Sequence, residues 1–235
     1  MNTAPTPTAQ ALVLDYGGVI CLTAFERLPL IERKLDLKPG SIAWRGPFDP
    51  AGDDLWRDML ADRISEREYW QRRAAEVGRL VGQEWTEARM LMQQGQDDRP
   101  EATTRPEAMA AVQAVRAAGR RVGVLSNEMD LFNGPEFRTR LPIMGLMHTI
   151  VDATYTGILK PDARAYRAVA EALDVPLAQC LMVDDQPRNI EGARQAGMQV
   201  EWFDVTRPAE TYARVLERLG VDARLLQPGQ ERVVS

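Results

Sequence analysis

Polar side chains able to bind a cation or an anion close three short apolar runs at well-separated points of the chain. Ala11-Leu12-Val13-Leu14 leads into Asp15, with Gly17 and Gly18 close behind. Arg121-Val122-Gly123-Val124-Leu125 leads into Ser126 and Asn127, and Cys180-Leu181-Met182-Val183 into Asp184 and Asp185. Such a run, closed by a polar pair and a turn, reads as a buried strand. A carboxylate at the end of a buried strand needs a partner, a metal or a task, because leaving it unpaired out of water is costly. Taken alone, Asp15 fits equally a strand-end aspartate that only caps its own turn. A fourth point changes the balance: Lys160 precedes Pro161, which reads as the first position of a helix. A lysine there adds to the pull of a helix N-terminus on an anion. Carboxylates without histidine suit a hard cation such as Mg²⁺, and a hydroxyl, backbone amides and one lysine suit a phosphoryl group.

These residues can meet only if one sheet carries them all. From Pro106 onward helices and strands alternate: helix 106–118, strand 121–125, strand 149–153, helix 163–173, strand 180–183, a helix ending at Gly197, strand 200–203 and helix 208–219. That alternation implies an α/β fold with a mainly parallel sheet covered on both faces. A parallel sheet places every strand's carboxyl end along one edge, so Asp15, Ser126-Asn127 and Asp184-Asp185 are expected side by side. Between Thr23 and Gly95 the pattern is helical throughout, with segments at 25–37, 53–63, 65 onward and 85–92. Ser65-Glu66-Arg67-Glu68 is a capping box for the third of these. The expected organisation is a core of 11–20 and 96–225, a helical cap inserted at 21–95, and flexible tails at 1–10 and 226–235. Trp44, Arg45 and Phe48 in the loop 40–52 could reach a ligand, and packing within the cap is the preferred reading.

Composition narrows the function. The chain has 235 residues, 45% of them hydrophobic and 27% charged, as in an ordinary globular protein. A net charge of −5 leaves no basic surplus for nucleic acid or an anionic membrane. No apolar run is long enough to span a bilayer, and 1–10 lacks the basic start and apolar core of a secretion signal. Two cysteines, Cys21 and Cys180, make no disulfide framework, and a cytoplasmic location is expected. His148, the only histidine, is read as a packing residue. Whether the chain is a monomer or a homodimer stays open.

The chain resembles the haloacid dehalogenase-like hydrolases, which are mostly Mg²⁺-dependent phosphatases on a Rossmann-like core. It looks closest to the branch with a small helical cap after the first strand, which includes bacterial sugar-phosphate phosphatases and the phosphatase half of soluble epoxide hydrolases. The resemblance rests on Leu14-Asp15-Tyr16-Gly17-Gly18-Val19, Leu125-Ser126-Asn127, Lys160-Pro161-Asp162, and Val183-Asp184-Asp185 through Asn189, in that order, and covers 11–219. It implies that Asp15 is a nucleophile forming an aspartyl-phosphate with a small phosphorylated metabolite, such as a sugar phosphate. It further implies that Mg²⁺ is held by the Asp15 carboxylate, the Gly17 carbonyl and Asp185. Ser126 and the Asn127 backbone would bind phosphate oxygens, with Lys160 bridging Asp15 and the phosphate. Asp184 and Asn189 would orient Asp185 and the metal's waters.

One position departs from the pattern. Most phosphatases of the family carry a second Asp two residues after the nucleophile as general acid, and here Gly17 stands there. A cap residue, water, Glu128 or Asp130 could stand in, neither acid being an obvious replacement, and a slower enzyme is expected, since general acid–base help is worth roughly 10²- to 10⁴-fold. Two rival readings follow: a C–halogen hydrolase, against which the adjacent Asp184 and Asp185 argue, and a non-catalytic phospho-ligand-binding relative, which Gly17 favours.

Overall fold

The computed structural model describes residues 8–226. Strand β1 (Ala11–Leu14) is buried along its whole length because it has a neighbour on each side. With β2 (Arg121–Ser126), β3 (Thr149–Asp152), β4 (Cys180–Asp184) and β5 (Gln199–Trp202) it forms one sheet, ordered β3-β2-β1-β4-β5 and parallel throughout. Leu14 lies opposite Val124 of β2 and Val183 of β4, so the carboxyl ends of the three central strands are level.

Alternation along β1 sends its side chains to two apolar layers. Ala11 and Val13 join Met182, Tyr166, Val169 and Ala193 beneath the helices Ala163–Leu173 and Pro187–Ala196. Helix Pro106–Ala117 packs on β2 and helix Pro208–Arg218 on β5, and these two helices also pack on each other. The strand and helix limits expected from the sequence agree to within a residue or so in this part of the chain. His148 has a backbone role: its Nδ1 accepts from the Val122 amide at 3.0 Å, securing the approach to β3.

Two compact units make up the chain. The first takes in the sheet and runs through Cys21, Thr104–Glu128 and from Pro142 onward, and the second is Leu22–Thr103 with Met129–Leu141. Where the chain leaves and re-enters the first unit it is zipped: Arg105 donates its amide to the Ile20 carbonyl at 2.9 Å, and Cys21 bridges Thr104. Within the second unit, Leu22 donates to the Thr103 carbonyl at 2.8 Å.

The second unit holds the helices Leu28–Lys34, Asp54–Leu60, Glu66–Leu80 and Ala88–Gln94, around a cluster of Phe25, Trp56, Tyr69 and Trp70. Ser65 caps the longest helix, accepting the Glu68 amide at 3.1 Å. Asp53 caps another and binds Arg73, which also contacts Glu76 at 2.8 Å and the Tyr69 hydroxyl at 3.1 Å. Trp44 packs under the Arg73 guanidinium, 5.0 Å from its ring centre, and donates to Glu76.

The boundaries of this unit differ from those expected. Residues 96–103 and 129–141, which the sequence pattern had assigned to the core, belong with the helices. Gln96 donates to the Asn133 carbonyl at 3.2 Å, Arg140 to that of Asp98 at 3.3 Å, and Phe132 packs against the aromatic cluster. The helices Met129–Asn133 and Pro135–Thr139 are only five residues each, too short to show a helical period. The tail expected at 1–10 is shorter, since Ala9 is fully buried and donates to Arg218 while Gln10 donates to Gln179. Leu226 ends a short 3₁₀ turn, and the rest of both tails lies outside the described residues.

Candidate active site

The side chains expected to converge do so at the carboxyl edge of the sheet. Asp15 follows β1 and donates its amide to the Val183 carbonyl at 2.9 Å, which fixes it beside the end of β4. After it the chain makes one wide turn, Tyr16–Ile20, closed by the Cys21 amide on the Tyr16 carbonyl at 3.0 Å. Gly18 sits at φ 74°, a backbone region open to glycine at little cost. The turn is pinned from behind by buried side chains, with Arg105 Nε on the Gly18 carbonyl at 2.7 Å and the Tyr212 hydroxyl on that of Val19 at 3.0 Å.

Lys160 is the centre of the cluster. Its Nζ donates to Asp15 Oδ1 and to Asp184 Oδ2, both at 2.6 Å, and the side chain is 1% exposed. Burial works against its charge, but the two carboxylates outweigh that and hold its pKa above the ordinary lysine value. Lys160 therefore stays cationic through the physiological range. It does not sit at a helix start as expected. The helix begins at Ala163 with Asp162 as its cap, the Asp162 side chain accepting the Arg164 amide at 2.8 Å, and Pro161 precedes that cap. The cation thus acts through the two carboxylates and not through a helix end.

Asp184 is fully buried and saturated as an acceptor: Lys160 and Asn189 Nδ2 (3.1 Å) reach one oxygen, and the Gln186 amide (2.8 Å) and Asn189 again (3.1 Å) the other. Tyr166 in turn holds the Asn189 carbonyl at 2.7 Å. Asp185 is half-buried, and Asp15, Asp184 and Asp185 each place an oxygen within 4.8 Å of the others. Three carboxylates gather around the one lysine, and the potential ligand atoms are all oxygen. That set fits a hard divalent cation.

Ser126, the buried last residue of β2, and Asn127 lie on the same edge. The Asn127 side chain points to the Lys160 main chain: Oδ1 accepts its amide at 2.7 Å and Nδ2 donates to its carbonyl at 3.2 Å. Asp130 is buried in the second unit 3.3 Å from Arg138, and Glu128 is also buried. Sequence reasoning missed Arg105, Tyr212 and Tyr166, whose contacts with the site's main chain leave no local pattern. It also missed Trp202, which donates Nε1 to the Asp185 carbonyl at 2.9 Å. Its position at the end of β5, opposite Asp184, was the available signal.

A lysine-bridged carboxylate cluster at the carboxyl edge of a parallel sheet lies where open α/β sheets bind their ligands. The family model of haloacid dehalogenase-like hydrolases matches residues 9–197, and the chain belongs to that family. It is similar to the phosphatase MT3486 of Mycobacterium tuberculosis, 37% identical over 99 residues that make up 42% of this chain and 46% of that protein. It is also similar to the phosphoglycolate phosphatase of Rhodospirillum rubrum, 35% identical over 116 residues, 48% of this chain and 46% of that one. The matches thus span less than half of either relative. Among solved structures, the HAD-hydrolase YfnB of Bacillus subtilis shares the fold at a TM-score of 0.60 and 16% identity, over 84% of this chain and 88% of that one. Among the described residues no helix is long and apolar enough to cross a membrane.

Proposed function

We propose that this chain is a Mg²⁺-dependent phosphatase that hydrolyses a small phosphorylated metabolite through an aspartyl-phosphate on Asp15. The observation that carries this reading is the Lys160 ammonium 2.6 Å from both Asp15 and Asp184 at the strand ends, with Asp185 clustered beside them. Three clustered carboxylates repel a phosphate dianion unless a divalent cation masks them. The Asp15 carboxylate, the Gly17 carbonyl and Asp185 would hold Mg²⁺, with Asp184, already saturated, orienting Lys160 and the neighbouring chain. When bound, Mg²⁺ supplies the charge neutralisation that lets a carboxylate meet a phosphoryl group.

The chain's own groups divide the remaining work. Asp15, oriented by Lys160 through Oδ1, forms the bond to phosphorus as the bond to the leaving oxygen breaks. Ser126 and the Asn127 amide bind equatorial phosphoryl oxygens, and Lys160 stabilises the charge that builds on them. With glycine at 17, the departing oxygen takes its proton from water. Water then attacks the acyl-phosphate, regenerating Asp15 and releasing inorganic phosphate. The compartment we propose is the cytoplasm, in keeping with the buried free thiols of Cys21 and Cys180.

Phosphate release from an aryl phosphate and a panel of sugar phosphates, with and without Mg²⁺, tests this. We expect metal-dependent turnover that Asp15→Asn lowers by at least ~10³-fold, the scale on which a lost nucleophile is felt. Halide release from 2-haloacids without metal would replace this reading with the C–halogen hydrolase. Gly17 favours the non-catalytic relative, which would show phosphate-induced thermal shifts with no turnover of any ester.

A further inference from the structure

We propose that the turn carrying Lys160 is clamped from two sides, and that the Asn127 side chain is a positioning residue for Lys160 in place of a phosphate ligand. The Asn127 amide meets the Lys160 main chain as one strand meets another, accepting its N–H at 2.7 Å and donating to its C=O at 3.2 Å. A second element, the helix Pro187–Ala196, presses on the next residue. A Cβ at Gly192 would lie 2.5 Å from Pro161 Cβ and 2.8 Å from its carbonyl oxygen, closer than packed atoms approach. The turn therefore occupies a slot between the end of β2 and that helix.

The slot matters because Lys160 reaches its partners through four methylenes. Its ammonium stands 2.6 Å from Asp15 and 2.6 Å from Asp184, and a small shift of the main chain breaks one contact or both. Asn127 follows Ser126 directly, so the strand that offers a hydroxyl to the ligand also sets the height of the lysine. The Asn127 main-chain amide keeps the anion-binding part given to it above, while its side chain acts through Lys160. The kinetic half of this inference rests on the phosphatase reading, and the structural half does not.

The chain has three lysines, Lys34, Lys38 and Lys160, so acetylation with acetic anhydride followed by mass spectrometry reads each one. In the native protein Lys160 should be protected. Asn127→Ala and Gly192→Ala should each label Lys160 about tenfold faster relative to Lys38, as a locally opened segment does. Leu173→Ala, a core cavity at the far end of its helix, should leave Lys160 protected, which separates loosening of the turn from general loss of stability. In aryl phosphate hydrolysis, Asn127→Ala should lower kcat roughly 10- to 10²-fold. In a Lys160→Ala background the same change should matter less than about twofold, because a residue acting only through another has no separate effect. Unchanged Lys160 labelling in both clamp variants, or effects of Asn127→Ala and Lys160→Ala that simply multiply, would overturn the clamp. A wild-type protein that releases no phosphate fails the catalytic reading alone, and labelling then decides.

Discussion

At Gly17 the backbone has φ −69° and ψ 125°, a conformation any L-residue adopts without strain. A Cβ built there meets only Asp15 Oδ2, at 3.8 Å, an ordinary contact. Nothing in the packing demands glycine, in contrast to Gly18 one residue on. Gly17→Asp should therefore fold as the parent does and place a carboxyl beside the nucleophile. We expect kcat for substrates with poor leaving groups, such as alkyl phosphates, to rise by about 10²-fold, with little change for an activated aryl phosphate. Unfolding midpoints of the two proteins should agree to within a degree or two. Most of the candidate site was legible in the sequence at this scale. Asp15, Ser126, Lys160, Asp184 and Asp185 are each announced by a local pattern, an apolar run meeting a polar residue or a lysine meeting proline. The Asn127 side chain and Gly192 were not legible in that way. Asn127 takes its role from a residue 33 positions away, and Gly192 from Pro161 across a helix packing contact that no local pattern reports.

The helices of the second unit depend on a buried charge pair. Arg73 and Asp53 have side chains 8% and 3% exposed, and Asp53 also accepts the amides of Trp56, Gly46 and Arg45. Burial opposes the Asp53 charge, yet the Trp56 and Gly46 amides, Arg73 and the Arg45 amide together hold its carboxyl below the ordinary 3.8. Folding thus favours the ionised form. Its contribution to stability is complete above about pH 3.8 and is lost as the pH falls through the lower native value. Arg73→Ala should cost ~3–5 kcal/mol, since it strands a buried carboxylate. Tryptophan fluorescence in urea checks this directly, because Trp44, Trp56, Trp70 and Trp85 all lie in this unit and only Trp202 lies in the other. The core helices could be placed from sequence to within a residue or so because their faces pack on a sheet and carry a clear period. The shorter helices at 129–139 carry fewer than two turns each and left no such trace.

For the molecule as a whole, the cluster of carboxylate oxygens at the sheet edge predicts linkage between metal and folding. Mg²⁺ at a hundredfold excess over its dissociation constant should raise unfolding free energy by about 2.7 kcal/mol. Asp185→Asn should abolish that gain in the thermal midpoint while leaving the metal-free midpoint near that of the parent. A metal response unaffected by Asp185→Asn would place the cation elsewhere. The discontinuity of the helical unit has a separate consequence, for anyone who would exchange it with that of a relative. Its long segment enters and leaves at paired residues, Leu22 and Thr103, joined at 2.8 Å, so a graft of any length closes there without a spacer. Transplanting that segment alone would nevertheless strip Gln96 and Asp98 of Asn133 and Arg140, which travel on a different stretch of chain. A working chimera needs both pieces and four junctions, at 21/22, 103/104, 128/129 and 141/142.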